Sequence, residues 1–249
     1  MQDSSYLSRT RLLVGDDVIA RLQEIRVILF GVGGVGSWCA EGLVRSGVKH
    51  LTLVDADVIS ESNVGRQLMA TPRTVGQIKV EALRDRLLEI DPDAQITTLQ
   101  KVFCAETAGE FALEEYDYIL DAIDSLKDKG ELILRATHTP AVFFCSMGAA
   151  CKIDPTLVRE AEFWNVRGCP LGAAIRKKFK QNHTWPGHKF RCVYGEEVLP
   201  NRGGTGEAET DLFNKAQING ATAPVTAIFG MTLAGLVLRD VYHKVTATP

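Results

Sequence analysis

The sequence is 249 residues long, 45% hydrophobic and 24% charged, with a net charge of −3. That length fits one large α/β domain or one domain with an appendage, and the net charge forbids no class of partner, although any nucleic-acid contact must come from a local patch. The opening stretch Met1–Asp17 has no basic segment followed by a long apolar run, so no secretory leader is expected. Six cysteines (Cys39, Cys104, Cys145, Cys151, Cys169 and Cys192) form no CxxC pair. This argues against a zinc ribbon or a small disulfide framework and points to a reducing, cytoplasmic setting.

Apolar runs alternate with helical patterns along the chain, the sign of βαβ units and a parallel sheet. In chain order the predicted elements are a helix over 16–24, a strand over 26–30, a helix over 34–46 and a strand over 50–54. A helix over 76–90 places Val80, Leu83, Leu87 and Leu88 on one face. Next come a strand over 95–99, a helix over 105–113, strands over 117–121 and 141–145, and between these two a helix over 125–138. After Ser146 the rhythm changes. Thr156–Trp164 reads as an antiparallel strand, Pro170–Gln181 as a short basic helix, Lys189–Gly195 as a strand, and Leu199–Thr210 as a polar, Gly-rich loop expected to be mobile. Ala221–Leu238 is long enough to cross a bilayer, but Pro224 and its glycines and threonines favour a buried helix over a membrane span. The expectation is therefore an α/β fold, Rossmann-like, with a mostly parallel sheet, helices on both faces and a C-terminal antiparallel and helical elaboration. It forms one domain, 1–249, with a core of 1–155 and an elaboration of 156–249.

Gly31, Gly33 and Gly36 stand between the first strand and the next helix as GxGxxG, with Gly34 inside the turn. Such a turn brings backbone N–H groups and a helix N-terminus up to phosphate. The following strand ends in Asp55, 19 residues past Gly36, where a carboxylate can accept ribose hydroxyls. Redox chemistry on a dinucleotide and adenylation by ATP would both begin this way. Adenylation also requires cations and a metal-binding carboxylate at the strand ends, to offset a triphosphate while a carboxylate attacks its α-phosphate. Asp55, Asp57, Asn63, Arg66 and Gln67 lie in one segment, Lys79 follows a glycine-containing turn, and Asp121 and Asp124 end a strand.

Taken in order, GxGGxGS, D-x-D, S-N-x-x-R-Q, V-G-x-x-K and D-x-x-D resemble the ubiquitin-activating-enzyme-like superfamily over roughly residues 6–155. The resemblance implies an ATP-binding homodimer, with Asp55 on ribose, Asn63, Arg66 and Lys79 on the phosphates and Asp124 on Mg²⁺. It also implies that Arg9, in YLSRTRLLVG, reaches ATP from the partner subunit. The segments LVRSGVKHLTLVD, DAIDSLKDK, GAACKIDPT and CPLGAAIRKKFK resemble the tRNA threonylcarbamoyladenosine dehydratases. Two departures from that family are Lys127, where it has an arginine, and the less glycine-rich stretch Met147–Cys151. The family reaction activates the substrate carboxylate as an acyl-adenylate. The ureido group of the same substrate then closes a cyclic oxazolone, so no enzyme thiol is required. A sulfur-transfer protein is a further partner to consider. Adenylation of the C-terminal glycine of a ubiquitin-like sulfur carrier is the alternative, weakened by the missing CxxC pairs. A non-catalytic nucleotide-binding module and a nicotinamide-linked oxidoreductase are more distant readings.

From Arg167 to Arg191 there are seven cations (Arg167, Arg176, Lys177, Lys178, Lys180, Lys189 and Arg191) and no Asp or Glu. Phe179, Trp185 and Phe190 are interleaved. Cations can grip phosphates, and aromatic rings can stack on unpaired bases of a tRNA anticodon loop.

Overall fold

The computed structural model describes residues 5–203 and 219–247. One sheet runs in the order β3-β2-β1-β4-β5-β7-β6. Its strands are β1 (Arg26–Phe30), β2 (His50–Val54), β3 (Gln95–Leu99), β4 (Tyr118–Asp121), β5 (Val142–Ser146), β6 (Val158–Glu162) and β7 (Arg191–Gly195). All are parallel except β6, which pairs antiparallel with β7 at the edge. The helices are α1 (Ser8–Val14), α2 (Asp16–Glu24), α3 (Gly36–Arg45), α4 (Lys79–Leu88), α5 (Leu126–Ala136), α6 (Pro170–Gln181) and α7 (Ala223–Thr246).

Alternation along β1 divides the core. Val27 and Leu29 face one layer with α2, α3, α4 and α7, whereas Ile28 and Phe30 face the other with α5 and α6. Burying a side chain such as Phe30, Phe143 or Phe229 contributes about 1.5–3 kcal/mol. The elaboration extends the same sheet, because β7 continues it from β5. The long apolar helix near the C-terminus is α7; half of its most apolar window is buried, and it packs chiefly on α3 and α2. The Gly-rich loop expected over Leu199–Thr210 lies outside the described residues from 204 onward.

Two expectations about elements change. The helix predicted over 105–113 is instead a pair of 3-10 turns, Ala108–Phe111 and Leu113–Glu115, joined at Ala112 with φ +43°. The tighter turns seat Phe111 against Phe30 with ring centres 5.3 Å apart, beside Phe103 at 5.0 Å. The helix predicted from 76 begins only at Lys79, because Val58 and Ile78 form an antiparallel bridge first.

The core also holds an ion pair. Asp121, the last residue of β4, meets Lys129 of α5 at 2.8 Å, and both side chains are wholly buried. The Cys145 thiol donates to Asp121 Oδ2 at 3.2 Å, and the Ile123 N–H donates to Oδ1 at 2.9 Å. Asp121 therefore faces the core, whereas the sequence alone placed it beside a metal-bound phosphate.

Candidate functional site

Strand order reverses between β1 and β4, which opens a crevice at their carboxyl ends. The glycine turn sits there. Gly31 has φ +82°, and a Cβ on it would lie 2.8 Å from the Ala122 carbonyl oxygen. A Cβ on Gly36 would lie 1.8 Å from the Gly31 oxygen, so the turn and the first residue of α3 fit together only as glycines. Gly33 is more open, with Gln67 Nε2 the nearest atom to its notional Cβ at 3.8 Å. Gly34 faces Thr226, near the N-terminus of α7, and the Arg66 side chain.

Asp55 braces this turn. Its Oδ2 accepts the Val32 N–H at 2.8 Å and its Oδ1 accepts the Asp57 N–H at 3.0 Å. Each oxygen keeps a lone pair for a further donor. Burial pushes the Asp55 carboxyl above its ordinary range, while Lys79 and the two N–H donors pull it back. Lys79, the first residue of α4, is buried, and its Nζ lies 2.6 Å from Asp57 Oδ2.

The segment after β2 is wound around Asn63. Asn63 Oδ1 accepts the Ser60 N–H at 3.1 Å, and its carbonyl accepts the N–H groups of Arg66 and Gln67. Arg66 Nη1 donates to the Ser62 carbonyl at 2.9 Å, and the Arg66 carbonyl accepts Trp38 Nε1–H at 3.2 Å. Ser37 Oγ donates to the Gly33 carbonyl and accepts the Leu68 N–H, tying the segment to the glycine turn. Ser37 closes the GxGGxGS motif, whereas Trp38, directly after it, was not singled out from sequence. Gln67 is buried, and its Oε1 finds no hydrogen-bond partner among the described residues. A buried orphan acceptor costs about 1–3 kcal/mol, so its place beside the glycine turn marks a polar ligand site.

Asp124 is exposed in the loop after β4. The N-cap of α5 is Ser125, whose Oγ accepts the Asp128 N–H, so Asp124 does not cap this helix. Among the described residues no group of three or more His, Cys, Asp or Glu side chains forms a ready-made metal site. A lone carboxylate is nonetheless the usual protein share of a Mg²⁺ ion that is completed by substrate phosphates and water. Arg9 is exposed on α1, two residues after Leu7, which packs against Gly47 beyond the end of α3 remote from the glycine turn. The geometry thus brings Gly31, Gly33, Gly34, Gly36, Asp55, Asp57, Asn63, Arg66, Gln67, Lys79 and Asp124 to one edge, and leaves Arg9 apart within a single chain.

The basic segment divides. Phe179 and Phe190 point into the core, contrary to the expectation of stacking rings, because α6 buries its apolar stripe against α5 and the sheet. Arg176 turns inward to the Phe163 carbonyl at 3.0 Å, and Arg191 pairs with Glu160 at 3.1 Å. Arg167, Lys177, Lys180 and Lys189 are exposed, and Lys178 is half-buried. Cys169 is buried at the N-terminus of α6, where its sulfur accepts the Gly172 N–H at 3.4 Å.

Residues 7–248 match the model of the ThiF family. The chain is 32% identical over 243 residues to tRNA threonylcarbamoyladenosine dehydratase of Bacillus subtilis, covering 96% of this chain and 95% of the relative. It is 31% identical over 234 residues to the protein of the same name from Haemophilus influenzae, covering 92% and 90%. The structure of Escherichia coli tRNA N6-threonylcarbamoyladenosine dehydratase, TcdA, in complex with ATP superimposes with a TM-score of 0.86 at 27% identity, covering 98% of this chain and 96% of that one.

Proposed function

The chain belongs to the ThiF family, and from that premise we propose that it is an ATP-dependent enzyme that dehydrates N6-threonylcarbamoyladenosine in tRNA to its cyclic oxazolone form. The observation that carries this reading is likeness to dehydratases along nearly the whole of both chains, elaboration included. The site fits ATP. The glycine turn offers backbone N–H groups to the phosphates, Asp55 has acceptors for the ribose, and the orphaned Gln67 Oε1 awaits a donor.

Arg66 and Lys79 offset charge on the triphosphate as the threonylcarbamoyl carboxylate attacks the α-phosphate and pyrophosphate leaves. The ureido oxygen then attacks the activated carboxyl carbon. AMP departs with the former carboxylate oxygen, a ureido N–H gives up its proton, and the net loss is one water. Both reacting groups belong to one substrate, so closure needs only correct positioning. Asp124 is the residue that would hold Mg²⁺, which when bound neutralises phosphate charge.

The same reading makes 1–249 one domain, working in the cytoplasm as a homodimer. Leu12 and Leu13 on α1 are 83% and 81% exposed, which supports packing of α1 on a second copy and delivery of Arg9 in trans. Arg167, Arg176, Lys177, Lys178, Lys180, Lys189 and Arg191 form the side that meets the anticodon arm, with the exposed members, Arg191 among them, contacting phosphates and Arg176 supporting the surface. A sulfur-transfer partner remains part of the proposal.

ATP–pyrophosphate exchange tests the first step. Exchange is expected only when threonylcarbamoylated tRNA is present. Exchange driven instead by a ubiquitin-like carrier protein would overturn the proposal in favour of carrier activation.

A further inference from the structure

β7 runs parallel to β5 and β6 returns beside it, so Glu162 and Arg191 lie at the amino edge of the sheet, opposite the glycine turn. The 3-10 turn Phe163–Asn165 follows Glu162 there, and α6 then runs from Cys169, near Gly148 at the carboxyl edge, back toward the amino edge. Five-residue strands make the two edges roughly 17 Å apart. The cations of the segment are therefore strung along that span.

At the amino-edge end two tryptophans meet. Trp164 and Trp185 have ring centres 5.7 Å apart at 45°, and Lys180 Nζ lies 6.0 Å from the Trp164 ring centre. Trp164 is held from behind by Phe163 at 5.2 Å, and its backbone N–H donates to Glu162 Oε2 at 3.0 Å. Trp185 is 50% exposed, although a tryptophan would normally be covered. Exposed Lys177, Lys180, Lys189, His183 and His188 come from the same segment, and between Phe163 and Arg191 the chain has no Asp or Glu.

We propose that Trp164 and Trp185 form a base-stacking platform for an unpaired nucleotide of the bound RNA, at the end of the sheet away from the nucleotide turn, with Lys177, Lys180 and Lys189 on the flanking phosphates. This deepens the tRNA reading above and rests on it. A π-face accepts any base, so the platform adds affinity without reading sequence, and the cations supply the salt-dependent part. A polyanion suits this surface better than an acidic protein helix does, because a flat exposed ring beside lysines matches a base and its phosphate together. The span also has a consequence: the RNA must run along α6, so the platform takes a nucleotide other than the one that reacts.

The test is Trp185→Ala, with Trp185→Phe as the conservative variant, measured by direct tRNA binding and by turnover of threonylcarbamoylated tRNA. Trp185 is half exposed, so both variants should fold, and ATP affinity serves as the check. Trp185→Ala should weaken tRNA binding roughly 5- to 150-fold, raise KM for tRNA by a similar factor and leave kcat at saturating tRNA unchanged. Trp185→Phe should restore most of the affinity. If the wild type binds and converts tRNA and Trp185→Ala does so equally well, the platform is overturned and the dehydratase reading stands; a surface built for a protein partner would give this result. If the wild type binds tRNA without converting it and Trp185→Ala binds more weakly, the platform stands and the dehydratase reading falls. A wild type that binds no tRNA overturns both.

Discussion

Replacing Lys79 with methionine is expected to lower turnover by a factor of roughly 10²–10³, the usual loss when one preorganised charge or donor is removed from a developing anion. Lys79 is buried at the start of α4 and held by Asp57 at 2.6 Å, so its ammonium is fixed before any nucleotide arrives. Its removal takes a positive charge from the proposed phosphate site and one of the influences that pull the Asp55 carboxyl back toward its ordinary range. The fold should survive. Asp57 is one-third exposed and can rehydrate once its partner is gone, so an ordinary melting curve beside lost AMP release is the expected pair of observations. Turnover near the wild-type rate would remove Lys79 from the phosphate site.

The second large effect is on stability, away from the crevice. Lys129→Met leaves the Asp121 carboxylate buried without its counter-ion, and removing one partner of a buried pair costs about 3–5 kcal/mol. For a chain of this length that is a fall in Tm of roughly 6–20 °C. The loss should depend on pH in a definite direction. Burial already pushes the Asp121 carboxyl above its ordinary range, with Lys129, the Ile123 N–H and the Cys145 thiol pulling it back. Without Lys129 the folded-state value rises further above that of the unfolded chain. Protonated Asp121 is then tolerated, and stability is lost as pH rises from about 4 through the raised value. Denaturant melts should show the gap from wild type narrowest near pH 4–5 and widest near pH 8. Adding Asp121→Asn should recover much of the loss, since a neutral pair leaves no unpaired charge. A gap that is flat across pH would show that Lys129 matters only as packing.

Lys129 also shows where sequence reading stops. In SLKDKGE it looks like one more charge on a solvated helix face, yet it passes through the core to the end of β4. Period and charge cannot reveal an ion pair made between a helix and a strand. The glycine turn was legible because Gly31 and Gly36 answer local steric demands, and the strands at 26–30, 50–54 and 95–99 because parallel strands are unbroken apolar or β-branched runs. The antiparallel strand expected over 156–164 is β6, but nothing local indicated that β7 would join the main sheet beside β5. Residues 105–113 misled because a short run with acceptable helix formers packs better as two 3-10 turns against Phe30. In the basic segment, counting residues gave the charge correctly but not its direction. Arg176, Phe179 and Phe190 turn inward, and the half-buried Trp164, which precedes Arg167, pairs with the exposed Trp185.

The most direct test of the account is mass spectrometry of nucleosides released by mild digestion from threonylcarbamoylated tRNA after incubation with the protein, ATP and Mg²⁺. The account predicts that the modified adenosine loses the mass of one water, only when ATP is present. An unchanged modified adenosine, with ATP shown to bind and the tRNA shown to carry the modification, would contradict it.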